Sequence, residues 1–434
     1  MNKPVNVIFY LSCFMVLLLL GYDIYLLNIY ATDIPFWDIW DLLPTGNYRQ
    51  LFDFYNENMQ VFYFIISETM YRLADWNLRY FVFVNYAVYL VLMAIYWKIL
   101  TSVENVKNLP YYPLFLMILL TPMLGFNWLW IVLVQTHTFI LFFLLAIYFG
   151  FTKDDKSYSV HACATCLFLS MISMNIPLTV GGVIAYIIKE AVNVKQNGIK
   201  KCLLKCGNLV VELGILIILL SQLTDINKFI AVRLRNSVFS LEYINNLSFY
   251  LINLYGDLAL TEIITPKIAL ALMPLHFGIL LFVFFEQYKN KNIQSLWGIM
   301  FGVIFCVSGI IAFRGGEVYS NKFSFIRHNE TAFMLVPATL AVLAVSKYKL
   351  ARYYGIMLVL LVLYGVSADI SAKRFQFFGD LFYKNGCVCV NHYYNLKTIS
   401  DWQCTMNYPV AKPDAIEKAE KMNLSFIKTI KNCK

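Results

Sequence analysis

Long apolar runs dominate this chain and leave it few ways to fold. The first, from Val7 to about Tyr30, is long enough as a helix to cross the roughly 30 Å of a bilayer's hydrocarbon. Further runs occupy roughly 80–98, 110–124, 128–152, 159–174, 177–190, 203–222, 268–285, 296–313, 331–346 and 353–370. Hydrocarbon offers backbone groups no hydrogen-bond partner, so runs of this kind become helices. The expectation is an all-α polytopic membrane protein of about eleven transmembrane helices. Composition agrees: 14% of the 434 residues are charged and 60% hydrophobic, against about a quarter charged in soluble proteins. The abundance of Phe and Tyr also suits a bilayer, whose headgroup zones collect aromatic rings.

The first run is too long for a signal peptide and lacks a small-x-small cleavage site, so it reads as an uncleaved anchor. The stretches 110–152 and 159–190 read as hairpins turning near Gly125-Phe126-Asn127 and Asn175-Ile176-Pro177, or alternatively as long helices with a re-entrant piece. Short-loop charge sets the orientation. Lys98, Lys107, Lys153, Lys156, Lys189, Lys195, Lys200, Lys201, Lys205, Lys289, Lys291, Lys347, Lys349 and Arg352 all fall on the side of Lys3, whereas the two hairpin turns carry no Lys or Arg. The N-terminus is therefore expected in the cytoplasm. The transmembrane domain spans 1–370 and includes external loops 31–79, 223–267 and 314–330, followed by a C-terminal external tail, 371–434. The net charge of +9 is spread over short loops and the tail with no basic stripe, which argues against nucleic acid.

Chemistry concentrates on the external side. Asp33, Asp38 and Asp41 lie within nine residues, interleaved with Phe36, Trp37 and Trp40, and followed by Asp53 and Glu57. Aromatic faces suit sugar rings, and a carboxylate can deprotonate an attacking hydroxyl. Trp37 and Trp40 equally suit a membrane-interface belt, with the acids simply solvated. Gln60 to Leu73 is too short to span and reads as an interfacial helix carrying Glu68 and Arg72 at i,i+4. Arg233 and Arg235, near Lys228, together with Arg314 and Arg327, suit a lipid phosphate at the outer surface. Arg327 is preferred because it adjoins a helix start.

Within the spans, Gln135, His137, Glu212, His276 and Asp369 are costly. They are scattered in sequence, which points to helix–helix hydrogen bonds rather than a carrier's shared cavity. Cys387, Cys389, Cys404 and Cys433 gather in the tail, where disulfides are plausible on an oxidising side. The tail's Tyr393, Tyr394, Trp402 and Tyr408 make a small structured appendage the expectation. Asn246, Asn329 and Asn423 head N-x-S/T triplets on the external side, meaningful only in a secretory pathway. No nucleotide-binding, metalloprotease or GxSxG motif occurs, and no metal set is indicated.

The acids beyond the first span, the interfacial helix, the many spans and the external tail resemble the GT-C class of membrane glycosyltransferases. More narrowly, the layout resembles the serotype-converting O-antigen glucosyltransferases of bacteriophages. That resemblance covers the whole chain in outline. Its motif-level match is limited to Asp33, Asp38, Asp41 and the Lys- and Cys-bearing tail, with spacings of five and three in place of a tight DxD pair. It implies a bacterial inner-membrane enzyme that moves glucose from a polyprenyl-phosphate carrier to the O-antigen glycan on the periplasmic face. No cofactor is implied, and a divalent metal is left open. Asp38 or Asp41 would be the base, with Asp33 the third acid. Arg327, Arg233 and Arg235 would hold the donor phosphate, and Trp37, Trp40 and Glu57 the sugar or acceptor. An O-antigen polymerase or ligase, and a lipid-linked glycan flippase or transporter, are the alternatives. The first would place its large loop later in the chain, and the second would show internal symmetry, which is absent here.

Overall fold

A computed structural model describes residues 3–35, 37–46, 51, 54–55, 58–154, 156, 158–173, 176–223, 240–256, 264–314, 330–383, 387 and 413–431. Among these, nine helices are long and apolar enough to cross a membrane, and two shorter apolar helices, Ser159–Ile172 and Glu330–Ala344, accompany them. Each coincides with an apolar run expected from the sequence. The chain is thus a helical, membrane-embedded protein. The first helix, Lys3–Tyr30, turns most of its side chains outward, with Phe14, Leu17, Leu18 and Tyr25 exposed. A two-residue ladder, Phe54–Tyr55 against Asn58–Met59, is the strand structure found among the described residues.

Between lipid-embedded helices, packing rather than water release sets the close contacts, so small residues mark them. Helices Ile176–Asn197 and Gln294–Arg314 approach so closely that a Cβ at Gly181 would lie 2.8 Å from the Gly302 carbonyl oxygen. The run 110–152 breaks where a turn was expected. A tight 3-10 stretch, Tyr112–Leu120, leads to a short helix, Gly125–Leu129, and an extended Trp130, before helix Val134–Ile147 begins. Nearly all of 112–140 is buried. Irregular backbone at membrane depth is tolerated only when protein surrounds it, and here the neighbouring helices do so.

Helix Ile176–Asn197 runs past the expected end at 190 because its charges are paired. Lys189 Nζ lies 2.7 Å from Glu190 Oε1 and 2.8 Å from Asp154 Oδ1, and Lys205 Nζ lies 2.7 Å from the same Asp154 oxygen. Burial works to raise the Asp154 carboxyl, but the two lysines together hold it below its ordinary range. The latch ties the basic connections together at the end of the bundle opposite the first loop.

Part of one expected external loop packs against the bundle. Within 223–267, helix Leu241–Asn253 packs against helices Pro266–Gln287 and Gln294–Arg314. Its Tyr243 hydroxyl donates to the Ser308 carbonyl, and Tyr255 reaches His276, which also bonds the Tyr354 hydroxyl at 2.7 Å. His276 lies ten residues into its helix, about 15 Å below that helix's start. The segment thus packs alongside the bundle helices, and this has a physical cause. Its apolar face (Tyr243, Tyr250, Leu251, Ile252) is buried, and a short amphipathic helix beside spans hides that face between them.

The seat is tight: a Cβ at Gly365 would meet the Gly256 backbone oxygen at 2.6 Å. Gly365→Val is expected to lift this segment and lower stability by about 1–3 kcal/mol. Faster amide exchange across 241–256, with exchange in Leu78–Ser102 unchanged, would register it. An unaltered exchange pattern would contradict the seating.

Candidate functional site

The first loop, the short helix beyond it and the C-terminal helices form one cap at one end of the bundle. Helix Val61–Ala74 occupies the stretch expected for an interfacial helix and buries Val61, Tyr63, Ser67, Glu68 and Met70. Glu68 does not simply line its surface. Its carboxylate accepts from the Thr45 amide at 2.6 Å, the Thr45 hydroxyl at 3.0 Å and the Gly46 amide at 3.1 Å, tying the end of the acid-bearing segment down. The helix ends in two successive left-handed residues, Asp75 and Trp76, a conformation that side chains disfavour. Two contacts hold them there: the Trp76 indole donates to Ser67 Oγ at 2.8 Å, and the Ser425 amide donates to the Asp75 carbonyl at 2.9 Å.

The tail helices Pro413–Lys421 and Phe426–Lys431 lock onto this cap. Phe426 packs edge-on against Trp40 at 5.5 Å and tilted against Trp76 at 5.8 Å. Asp33 is the strut between tail and bundle. Its Oδ1 accepts from the Leu78 amide at 2.8 Å, capping helix Leu78–Ser102, and its Oδ2 accepts from Ser425 Oγ at 2.7 Å, with Asn77 and Thr429 at 3.4 and 3.5 Å. Cys387 is disulfide-bonded and packs on Ile34. The six cysteines outside the tail are free.

Burial raises the Asp33 carboxyl above its ordinary value of 3.8, although its hydrogen bonds pull the other way. The docked state then holds more protons than the undocked one in the interval above 3.8, so docking weakens as pH rises through that interval. Limited proteolysis of the tail should therefore slow as pH is lowered from neutral toward 3.8, and Asp33→Asn should flatten the dependence. Faster tail cleavage on acidification in the native chain would contradict the sign.

Trp37–Trp40 forms a single 3-10 turn, which carries Asp38 and leads into Asp41. Asp41 is exposed, whereas Trp40 is buried in the cap with its ring against the tail. Trp40 is thus a packing residue in this structure, not an open sugar platform. The side chains of Trp37 and Asp38, and the whole of Glu57, Asp53, Arg233, Arg235 and Arg327, lie outside the described residues. So do Cys389, Cys404 and Cys433.

Beneath the cap, the costly intramembrane residues separate into two kinds. Several link elements singly: Gln135 accepts from the Tyr63 amide at 2.9 Å, Thr121 Oγ1 donates to Asp369 at 2.8 Å, and His161 contacts Glu212. These fit the expected helix-linking role. His137 does not stand alone, however. Its Nε2 lies 2.5 Å from Glu330 Oε1, with both side chains fully buried, although the pair sits off the hydrogen-bonding axis. Asn127 reaches the other Glu330 oxygen at 3.4 Å, and Asn85 holds the broken backbone at Asn127 and Trp128. The Tyr89 ring packs 5.0 Å from His137. Asp23, in the first helix, is also fully buried.

Sequence reasoning passed over Asp23 and Glu330, though a lone Asp inside an apolar run was a usable signal. Among the described residues, no group of three His, Cys, Asp or Glu side chains converges as a metal site. Compared with known protein families, characterised proteins and solved structures, the chain matches none.

Proposed function

We propose that this chain is a membrane glycosyltransferase of GT-C type. It would transfer glucose from a polyprenyl-phosphate carrier to O-antigen polysaccharide at the cap end. That end would then face the periplasm of a bacterium, and the lysine-rich connections the cytoplasm. One observation carries the reading. The turn bearing Asp38 and Asp41 belongs to a braced cap, built from the first loop, helix Val61–Ala74 and the tail helices. A lipid-linked donor presents its sugar at that level of the membrane, and an acid must be held rigidly to act on it.

In this mechanism Asp38 or Asp41 takes the proton of an acceptor hydroxyl. The hydroxyl oxygen attacks the anomeric carbon, and the bond to the carrier phosphate breaks. Arg327, with Arg233 or Arg235, stabilises the departing phosphate. No step is routed through a metal or cofactor. The test is expression in a strain of defined O-antigen, with mass spectrometry of its lipopolysaccharide. A hexose added to the repeat unit is the expected result. Altered chain length with an unmodified repeat would favour a polymerase, and unchanged lipopolysaccharide would sink the reading.

A further inference from the structure

A narrow cleft opens at the lysine-rich end of the bundle, between helices Ile176–Asn197, Pro266–Gln287 and Gln294–Arg314. Phe151, Ile188, Phe284, Tyr288, Trp297 and Phe301 give it a mostly apolar, aromatic wall. One turn farther from the lysines than Ile188 and Phe301, Ile184 and Phe305 are exposed. Residues four apart on a helix share a face, so the cleft runs out onto the surface that meets lipid tails.

Two features at its other end point to a ligand with a polar, anionic head. The Trp297 side chain is 5% exposed, and its indole N–H has no hydrogen-bond partner among the described residues. A buried indole usually finds an acceptor. Trp297 stands in the first turn of its helix, the level at which bilayer headgroups supply oxygens. Lys289 and Lys291 lie on the turn between Tyr288 and Gln294, both of which line the cleft, and are exposed. Neither is ion-paired among the described residues; Lys291 Nζ donates to the Asn197 side chain at 3.1 Å. The nearby acids are already engaged, Asp154 and Glu190 by Lys189, and Glu286 by Ser346 and the Lys347 amide.

We propose that this cleft binds an anionic phospholipid. One acyl chain lies along the aromatic wall, an ester or phosphate oxygen accepts from Trp297 Nε1, and Lys289 and Lys291 face the phosphate charge. The site is at the opposite end from the cap, so it stands or falls independently of glycosyl transfer.

Native mass spectrometry of the full chain in detergent tests this, with phosphatidylglycerol and phosphatidylcholine of identical acyl chains as probes. Phosphatidylglycerol should form a one-to-one adduct at lower concentration than phosphatidylcholine. Lys289→Gln with Lys291→Gln should weaken that adduct about 5-fold per lysine and leave phosphatidylcholine binding unchanged. Trp297→Phe, which keeps a ring and loses the N–H, should weaken both lipids. The lysine comparison uses exposed positions, so a misfolded Trp297→Phe protein would not blunt it. Equal binding of the two lipids by the native chain, or an undiminished preference in the double lysine variant, would overturn the proposal. Undiminished binding of both lipids by Trp297→Phe would remove the indole from the site. A dimer that Trp297→Phe dissociates would assign the cleft to a second copy and overturn the lipid.

Discussion

Asp38→Asn and Asp41→Asn, made singly, are expected to separate sharply. One should lower hexose transfer by about 100- to 10,000-fold, the usual contribution of a general base, and the other by far less. The asymmetry follows from the cap. Asp33 is excluded as the mobile base because both its oxygens are committed to the helix start and the tail. Asp38 lies within one 3-10 turn and Asp41 just past its exit, and a single carboxylate suffices to take the acceptor's proton. The turn itself is fixed from behind by Trp40 against Phe426. Neither amide substitution disturbs that contact, so tail protection from protease should be unchanged, and a loss of transfer then reports chemistry and not folding. Should both variants transfer hexose at the native rate, the base assignment fails.

That distinction between strut and base was not legible in the sequence. Asp33, Asp38 and Asp41 look alike there, because what separates them is Ser425, nearly four hundred residues away, for which no local periodicity speaks. The spans were legible because hydrocarbon imposes one rule on every run, and even the short helices Ser159–Ile172 and Glu330–Ala344 follow it. The broken stretch Tyr112–Leu120 was not, since it is apolar on all sides and offers no face from which to read a period. The close helix pair at Gly302 did leave a signal, Gly298-x-x-x-Gly302, of the kind that lets backbones approach in lipid. Helix Leu241–Asn253 also carried its amphipathic pattern openly, but a thirteen-residue segment between long spans reads as a surface loop until its partners are known. His137 was recognisable as a costly residue. Its partner was not, because Glu330 stands at a helix start, where an acid is usually a solvated favourable neighbour of the helix dipole.

The His137–Glu330 pair supplies the largest stability effect expected. Removing one member of a fully buried pair leaves the other without compensation, which typically costs about 3–5 kcal/mol. Glu330→Ala should therefore lower thermal stability in detergent steeply, and His137→Ala comparably. The double variant should cost less than the two losses added, because each single change already incurs the penalty of stranding its partner. Tyr89 and Asn127 sharpen the expectation. Tyr89 is held by its own bond to the Leu119 carbonyl and Asn127 lies in the broken segment, so neither can swing in to replace a lost carboxylate. Glu330→Gln is the informative comparison, since an amide keeps the shape and loses the carboxyl group. A smaller loss than in Glu330→Ala would assign the remainder to packing and hydrogen bonding. Purely additive losses across the cycle would mean that the pair is adjacent without being coupled. The bundle beneath the cap would then owe its cohesion to helix packing alone.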